Sequence, residues 1–337
     1  MIRTVIDERL RTVSLALAQV RADRSYASHA GTQFAQRAVA AARSAADRQL
    51  VELLRRYFHA SREFLVYGHA LALGPAPAFE REAGRGTPTY LIAMPALLGA
   101  AFPKAMSAFH ADEAVRGFFA ETHAEWESAK ADLDAAVARL DIARTMRQWF
   151  PDATLDIQLL LDLTGLPGQV IATYGEGFSF ACAPSTGQCK WDPAHIGSAI
   201  LSEVARPLIE AAVKPDEASQ IAGRLEVARV LAQVRDSGQP QSLKQSFLLV
   251  NPDFRTRLIE IIARALVSVS LGRSLGRTVA RAYLNEQESA VGGEVVERVA
   301  NAMQRHLRLA PRTSLRDFLS RSVAELEAPL FARAAGN

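Results

Sequence analysis

The spacing of apolar residues changes twice along this chain of 337 residues, and that change restricts what it can fold into. Near the start Ile6, Leu10, Val13 and Leu17 recur at helical spacing, and further on Leu50, Leu53, Leu54, Tyr57 and Phe58 are spaced as one buried helix face. Past Pro151 the pattern shortens. Thr154 to Leu163, Gln169 to Tyr174 and Gly177 to Ala183 are brief apolar segments separated by Gly-Leu-Pro-Gly and Gly-Glu-Gly, the punctuation of strands and turns. After Trp191-Asp192-Pro193 the helical period returns, from about Ala194 to Val213, with Pro207 inside and Pro215 as a stop. The expected fold class is therefore α+β, predominantly α-helical, with one small antiparallel sheet. A helical part over 1–150 and a part over 151–337 holding the sheet and the later helices are expected to form one continuous globular unit.

Within the first part, 74–88 concentrates Pro and Gly and is expected to be a loop. A long helix is expected from about Asp112 to Gln148, carrying Phe118, Phe119, His123, Trp126, Leu133, Val137 and Leu140, with His123 on this aromatic helix packed against a backbone or acidic partner and not a ligand. In the last part, breaks are expected near 237–241, at Asn251-Pro252, at Gly292-Gly293 and at Pro311.

Composition removes several function classes. A hydrophobic fraction of 49% and a charged fraction of 22% suit a chain that buries a sizeable core. The formal net charge is only +3, and no basic run or basic stripe interleaved with aromatics occurs, so nucleic acid is not expected as a partner. No apolar run approaches the roughly 20 residues of a spanning helix, so no membrane segment is expected. Asp7, Glu8, Arg9 and Arg11 closely precede the apolar patch Val13 to Val20, unlike a signal peptide. The expected location is cytoplasmic, with export by a preceding signal as the alternative. Cys182 and Cys189 flank Pro184-Ser185-Thr186-Gly187 and could face each other across a hairpin, as a reduced pair or as one disulfide.

The stretch Ala199 to Glu210, AILSEVARPLIE, carries the chemistry. In an H-E-x-x-H helix two His at i and i+4 reach one metal, and the Glu between them polarises the metal-bound water. Here those five positions read Ser202, Glu203, Val204, Ala205, Arg206, which keeps the base and exchanges both ligands. The chain resembles an uncharacterised bacterial family of gluzincin-like zinc-peptidase domains, in which the motif helix follows the strands as L-H-E-F-x-H-x-x-x-N-P. Glu260 and Arg264-Ala265 match a later helix of that family, and Phe118-Phe119 with His123 is similar to its paired-Phe and His element. Thr313 to Phe318 matches a short closing segment.

The resemblance implies a gluzincin-like scaffold with the sheet beside the motif helix, and it puts Glu203 at the general-base position and Glu260 at the third-ligand position. Ser202 is a poor zinc ligand, and the Arg206 guanidinium has a fixed positive charge and no lone pair. No cofactor is expected at this set. Charge balance suggests instead that Arg206 stands where zinc would and bridges Glu203 and Glu260, against the alternative of an ordinary solvated Glu203–Arg206 helix pair. Cys182, Cys189 and His195 form an alternative zinc set, although their spacing fits no common zinc pattern. The expected function is that of a catalytically degenerate metallopeptidase-like protein that binds a peptide or protein in the former cleft. The alternatives are an active metal-dependent hydrolase with non-standard ligands, and a helical interaction module with its cleft filled.

Overall fold

The computed structural model describes residues 1–24, 33–57, 63–80, 101–175, 177–185, 190–213, 254–291, 293–311 and 313–321. The chain divides into two compact units, 1–138 with 155–196, and 139–154 with 197–337. Among the described residues both are predominantly helical, and one small four-stranded mixed sheet lies in the first.

The first unit is built around one buried helix. It begins with β1 (Ile2–Val5) and α1 (Glu8–Asp23). The helices α2 (Gln33–Ser44), α3 (Gln49–Tyr57), α4 (Glu63–Leu71), α5 (Ala101–Ala111), α6 (Glu113–Glu121) and α7 (His123–Ala138) follow. Asp7 caps α1, its carboxylate accepting from the backbone N–H groups of Arg9 and Leu10, and Glu8 and Arg21 complement the helix dipole at the two ends. From Leu10 to Arg21 every residue of α1 is buried, because α2, α3, α4 and α5 all pack against it.

A helix buried all round must satisfy its own polar side chains. Arg11 does so in part, its guanidinium carbon lying 4.2 Å from the Phe119 ring centre and 4.7 Å from that of Trp126 while Nη1 donates to Glu8 and Nη2 to the Phe119 carbonyl, and its Nε stays buried without a hydrogen-bond partner. The Thr12 hydroxyl donates to the Glu8 carbonyl at 2.7 Å, so its 3.0 Å contact with His110 Nδ1 leaves the imidazole as donor.

The sheet adds β2 (Ile157–Leu161), β3 (Val170–Gly175) and β4 (Gly177–Cys182), in the order β1-β2-β4-β3. It corrects the antiparallel sheet expected from the sequence. β1 runs parallel to β2, β2 runs parallel to β4, and only the β3–β4 hairpin is antiparallel. The reason is connectivity, since a whole helical layer separates β1 from β2, and β3 takes the outer position in passing from β2 to β4. Ile2–Val5 pairs with Ile157–Leu160, so the helical spacing seen from Ile6 begins only after a strand. Leu160 and Ala181 join the core that contains α1.

At the carboxyl end of β2 lies Asp162, 2% exposed. Its Oδ1 accepts from Ser14 Oγ at 2.5 Å and from the backbone N–H and hydroxyl of Thr164 at 3.0 Å, and its Oδ2 accepts from Tyr67 at 2.7 Å. Arg21, also buried, donates to the Tyr67 hydroxyl at 2.9 Å and to the Thr164 carbonyl at 2.8 Å. Gly165 follows because a Cβ there would stand 2.8 Å from Asp162 Oδ2. One carboxylate thus ties α1, α4 and the sheet together.

The second unit contains α8 (Ile142–Trp149), α10 (Phe254–Ser274), α11 (Arg277–Val291) and α12 (Gly293–Leu309), and α9 (Pro193–Ala212) enters it at Gly197. α10 is its central helix, packed by α11 and α12 and buried through Ile261, Ile262, Ala265, Leu266 and Val269. α8 is tied to it where Ser274 Oγ receives the Asp141 N–H at 3.1 Å and where the Thr145 and Ser270 hydroxyls meet at 3.2 Å. Gly197 lets α9 approach Leu140, whose Cδ atoms would lie 3.0 and 3.1 Å from an added Cβ. Phe318, in the helical turns over 315–321, packs edge-on against Trp149 and His306. Ser314 and Asp317 cap those turns reciprocally.

The single helix expected over 112–148 is three. Thr122, buried and bonded through its hydroxyl to the Phe118 carbonyl at 2.6 Å, separates α6 from α7, and 139–141 separates α7 from α8. This break also corrects His123. It is the first residue of α7 and exposed, while the aromatic packing is made by Phe118, Phe119 and Trp126. Of the loop expected at 74–88, residues 81–88 lie outside the described residues, as do the breaks expected near 237–241 and 251–252.

Candidate functional site

α9 and α10 bring the singled-out residues of the second unit into one cluster. Ser202, Glu203 and Arg206 occupy successive turns of α9, and Glu260 and Arg264 stand one turn apart on α10. Arg264 donates from Nε to Glu260 Oε1 at 2.7 Å, and its Nη2 lies at the same distance. Arg206 Nη2 lies 3.1 Å from Glu260 Oε2 and 4.0 Å from Glu203 Oε1. Glu260 therefore meets a guanidinium on each carboxylate oxygen, in a charge-assisted arrangement.

The cluster faces solvent more than charge balance in a buried site would require. The Arg206 side chain is 49% exposed and that of Glu203 35%, against 16% for Glu260 and 20% for Arg264. Its inner member is Glu260, and its floor is a residue that the sequence did not single out. Tyr283 of α11 is buried, and burial pushes its phenol up to about 12, while the charge of Arg264 and a hydrogen bond with Ser202 act against that shift. Nothing in its spacing marked it, since a lone Tyr on an amphipathic helix is ordinary core.

The chemistry open to this set follows from its donors and acceptors. Ser202 is hydrogen-bonded to a phenol and Arg206 offers no lone pair. A dication approaching Glu260 would have to displace two guanidinium groups. Among the described residues no three His, Cys, Asp or Glu side chains gather in a metal-binding group.

Two of the remaining expected residues, Cys182 and His195, lie in the first unit. Cys182 is fully buried at the end of β4, and burial, with the Asp162 charge nearby, pushes its thiol up to about 12. His195 is exposed in the first turn of α9. Cys189, the third member of the alternative zinc set and the partner of the expected cysteine pair, lies outside the described residues. No helix among the described residues is long and apolar enough to cross a membrane. No family model, no curated protein and no solved structure matches this chain.

Proposed function

We propose that this chain is a catalytically degenerate metallopeptidase-like protein, in which an arginine takes the place that a gluzincin-like site gives to zinc. The supporting observation is the Arg206–Glu260 ion pair at 3.1 Å, between the second exchanged ligand position and the third-ligand position. An ordinary helix pair would join Arg206 to Glu203 three residues earlier, and that contact is the longer one at 4.0 Å. A cation that bridges two helices in this way neutralises Glu260 without a metal.

What such a protein retains is a binding surface. β3 is an outer strand, hydrogen-bonded to β4 on one side and to no other strand among the described residues. An outer strand can take up an extended peptide by backbone pairing, with no requirement for a metal.

Restoring the ligands tests the reading. The purified wild-type chain is expected to hold no stoichiometric zinc and to melt at the same temperature with and without chelator. The double variant Ser202→His, Arg206→His is expected to gain about one zinc per chain and a chelator-sensitive melt, because a ligand bound only by the folded state stabilises that state. One zinc per wild-type chain would overturn this reading and favour a metal site with non-standard ligands. A double variant that folds and gains no zinc would remove the gluzincin-like scaffold from consideration.

A further inference from the structure

The second unit also contains a cavity of about 1410 Å³ that the cluster around Glu260 does not use. It opens between α8, the end of α10, α11, α12 and the residues Pro311, Thr313, Ser314 and Asp317. Among the described residues six arginines line it: Arg144 and Arg147 from α8, Arg273 from α10, Arg277 and Arg281 from α11, and Arg308 from α12. Three acids among the described residues do so as well, Asp152, Glu297 and Asp317, which leaves these described residues with a formal excess of three positive charges, six minus three. The whole chain carries only +3, so this is a local concentration and not a share of a general basic surface.

The arginines are not used up by the fold. Arg147 spends Nε on the Ala143 carbonyl, Arg273 spends Nη1 on Gln148, and Arg144 lies 3.5 Å from Asp141 while 70% exposed. Arg277, Arg281 and Arg308 make no hydrogen bond or ion pair with the described residues, although Asp152 and Glu297 line the same cavity. Arg277 and Arg281 are four residues apart on one helix flank, where like charges repel. They also stand in the first turns of α11, which has no acid in its first turn. That places positive charge where the helix dipole disfavours it. A fold that tolerates this has forked donors turned to solvent and suited to bidentate contact with oxyanions.

The lining also indicates the size and kind of anion. The volume exceeds the roughly 300–1,000 Å³ of ordinary small-molecule sites, so a molecule with several charged groups can enter. The wall holds amides and hydroxyls, among them Asn301, Gln304, Thr313 and Ser314, and no Phe, Tyr or Trp among the described residues. Single-stranded nucleic acid is generally held by aromatic stacking along a basic groove, and this cavity offers the charge without the platform. We propose that the cavity binds a small polyanion, a molecule carrying two or more phosphate or carboxylate groups. The site is independent of the degenerate-peptidase reading.

The test is isothermal titration of the full chain at low ionic strength with three probes: sodium tripolyphosphate, citrate, and a 20-nucleotide oligouridylate. Saturable binding of tripolyphosphate or citrate at one per chain is expected, and the tighter of the two identifies phosphate or carboxylate as the group recognised. The double variant Arg277→Glu, Arg281→Glu, and separately Arg308→Glu, should weaken that binding at least tenfold. Arg305→Glu, exposed on the same helix as Arg308 but outside the lining, should leave it unchanged. The proposal is overturned if neither small anion saturates, if folded cavity variants bind as the wild type does, or if Arg305→Glu weakens binding equally. It is also overturned if the oligouridylate binds while both small anions do not.

Discussion

Arg206 of α9 lies 3.1 Å from Glu260 of α10, and Arg264 holds the other oxygen of the same carboxylate at 2.7 Å. The two arginines are not equivalent, because Arg206 is about half exposed and Arg264 is largely covered. Arg206→Ala should therefore cost only about 0.5 kcal/mol, as exposed pairs do. Glu260→Gln should cost about 1–3 kcal/mol, since it leaves two guanidinium groups facing a neutral amide, one of them largely out of water. Urea denaturation of the two variants checks the order, and a larger loss from Arg206→Ala would contradict it.

Tyr67 links Arg21 to Asp162 in the first unit, donating to the carboxylate and accepting from the guanidinium. Tyr67→Phe keeps the ring and removes both bonds, so two buried charged groups each lose a partner. The expected loss is about 1–3 kcal/mol, with an unchanged dependence on denaturant. Phe at this position with the wild-type midpoint would mean that water or another group replaces the hydroxyl.

The Cys182 thiol should be inert in the native protein. Burial first, and the Asp162 charge second, raise it from 9.0 to about 12, so almost no thiolate is present at pH 8. In a Cys189→Ser variant, which leaves Cys182 as the only cysteine, a thiol reagent should label nothing natively and one equivalent in denaturant. Because the folded value is the higher one, the associated stability is complete below pH 9 and is lost as the pH rises toward 12. Rapid native labelling would contradict the burial.

His110 gives the opposite slope. Burial lowers it from 6.5, and Arg11 and Arg116 add to the shift while Glu8 opposes it. The folded state therefore binds the proton less readily than the unfolded chain. Its contribution is complete above pH 6.5 and is lost as the pH falls through the lower folded value. Melting temperatures from pH 7 to pH 5 should fall more steeply for the wild type than for His110→Asn, whose amide can still donate to Thr12. Parallel curves would show that another group governs the acid response.

Much of the architecture was legible in residue order. The extent of α9, the places of β2, β3 and β4, and the loop beginning at Gly74 follow from local signals, because strand and helix periods and Pro-Gly punctuation act over a few residues. The Ser202, Glu203, Arg206 and Glu260 set was also accessible, since helical spacing put three of them on one flank and charge balance called for a cation beside the carboxylates.

What the tertiary structure alone decided are the relationships that depend on distant partners. Ile2–Val5 becomes a strand because β2 offers an edge to it, which no local period announces. His123 is exposed because Thr122 ends the preceding helix, so the residue lands at a helix start and not in the middle of an aromatic face. The Asp162 network joins Ser14, Arg21, Tyr67 and Thr164, which are separated along the chain and singly unremarkable. The arginine-lined cavity likewise draws one or two arginines from each of several helices, so its charge is invisible as a run. Local pattern determines which segments form helices and strands, because those forces are short in sequence. The partners of a buried charge, and the convergence of like charges on one opening, are set by packing between segments that the sequence keeps far apart.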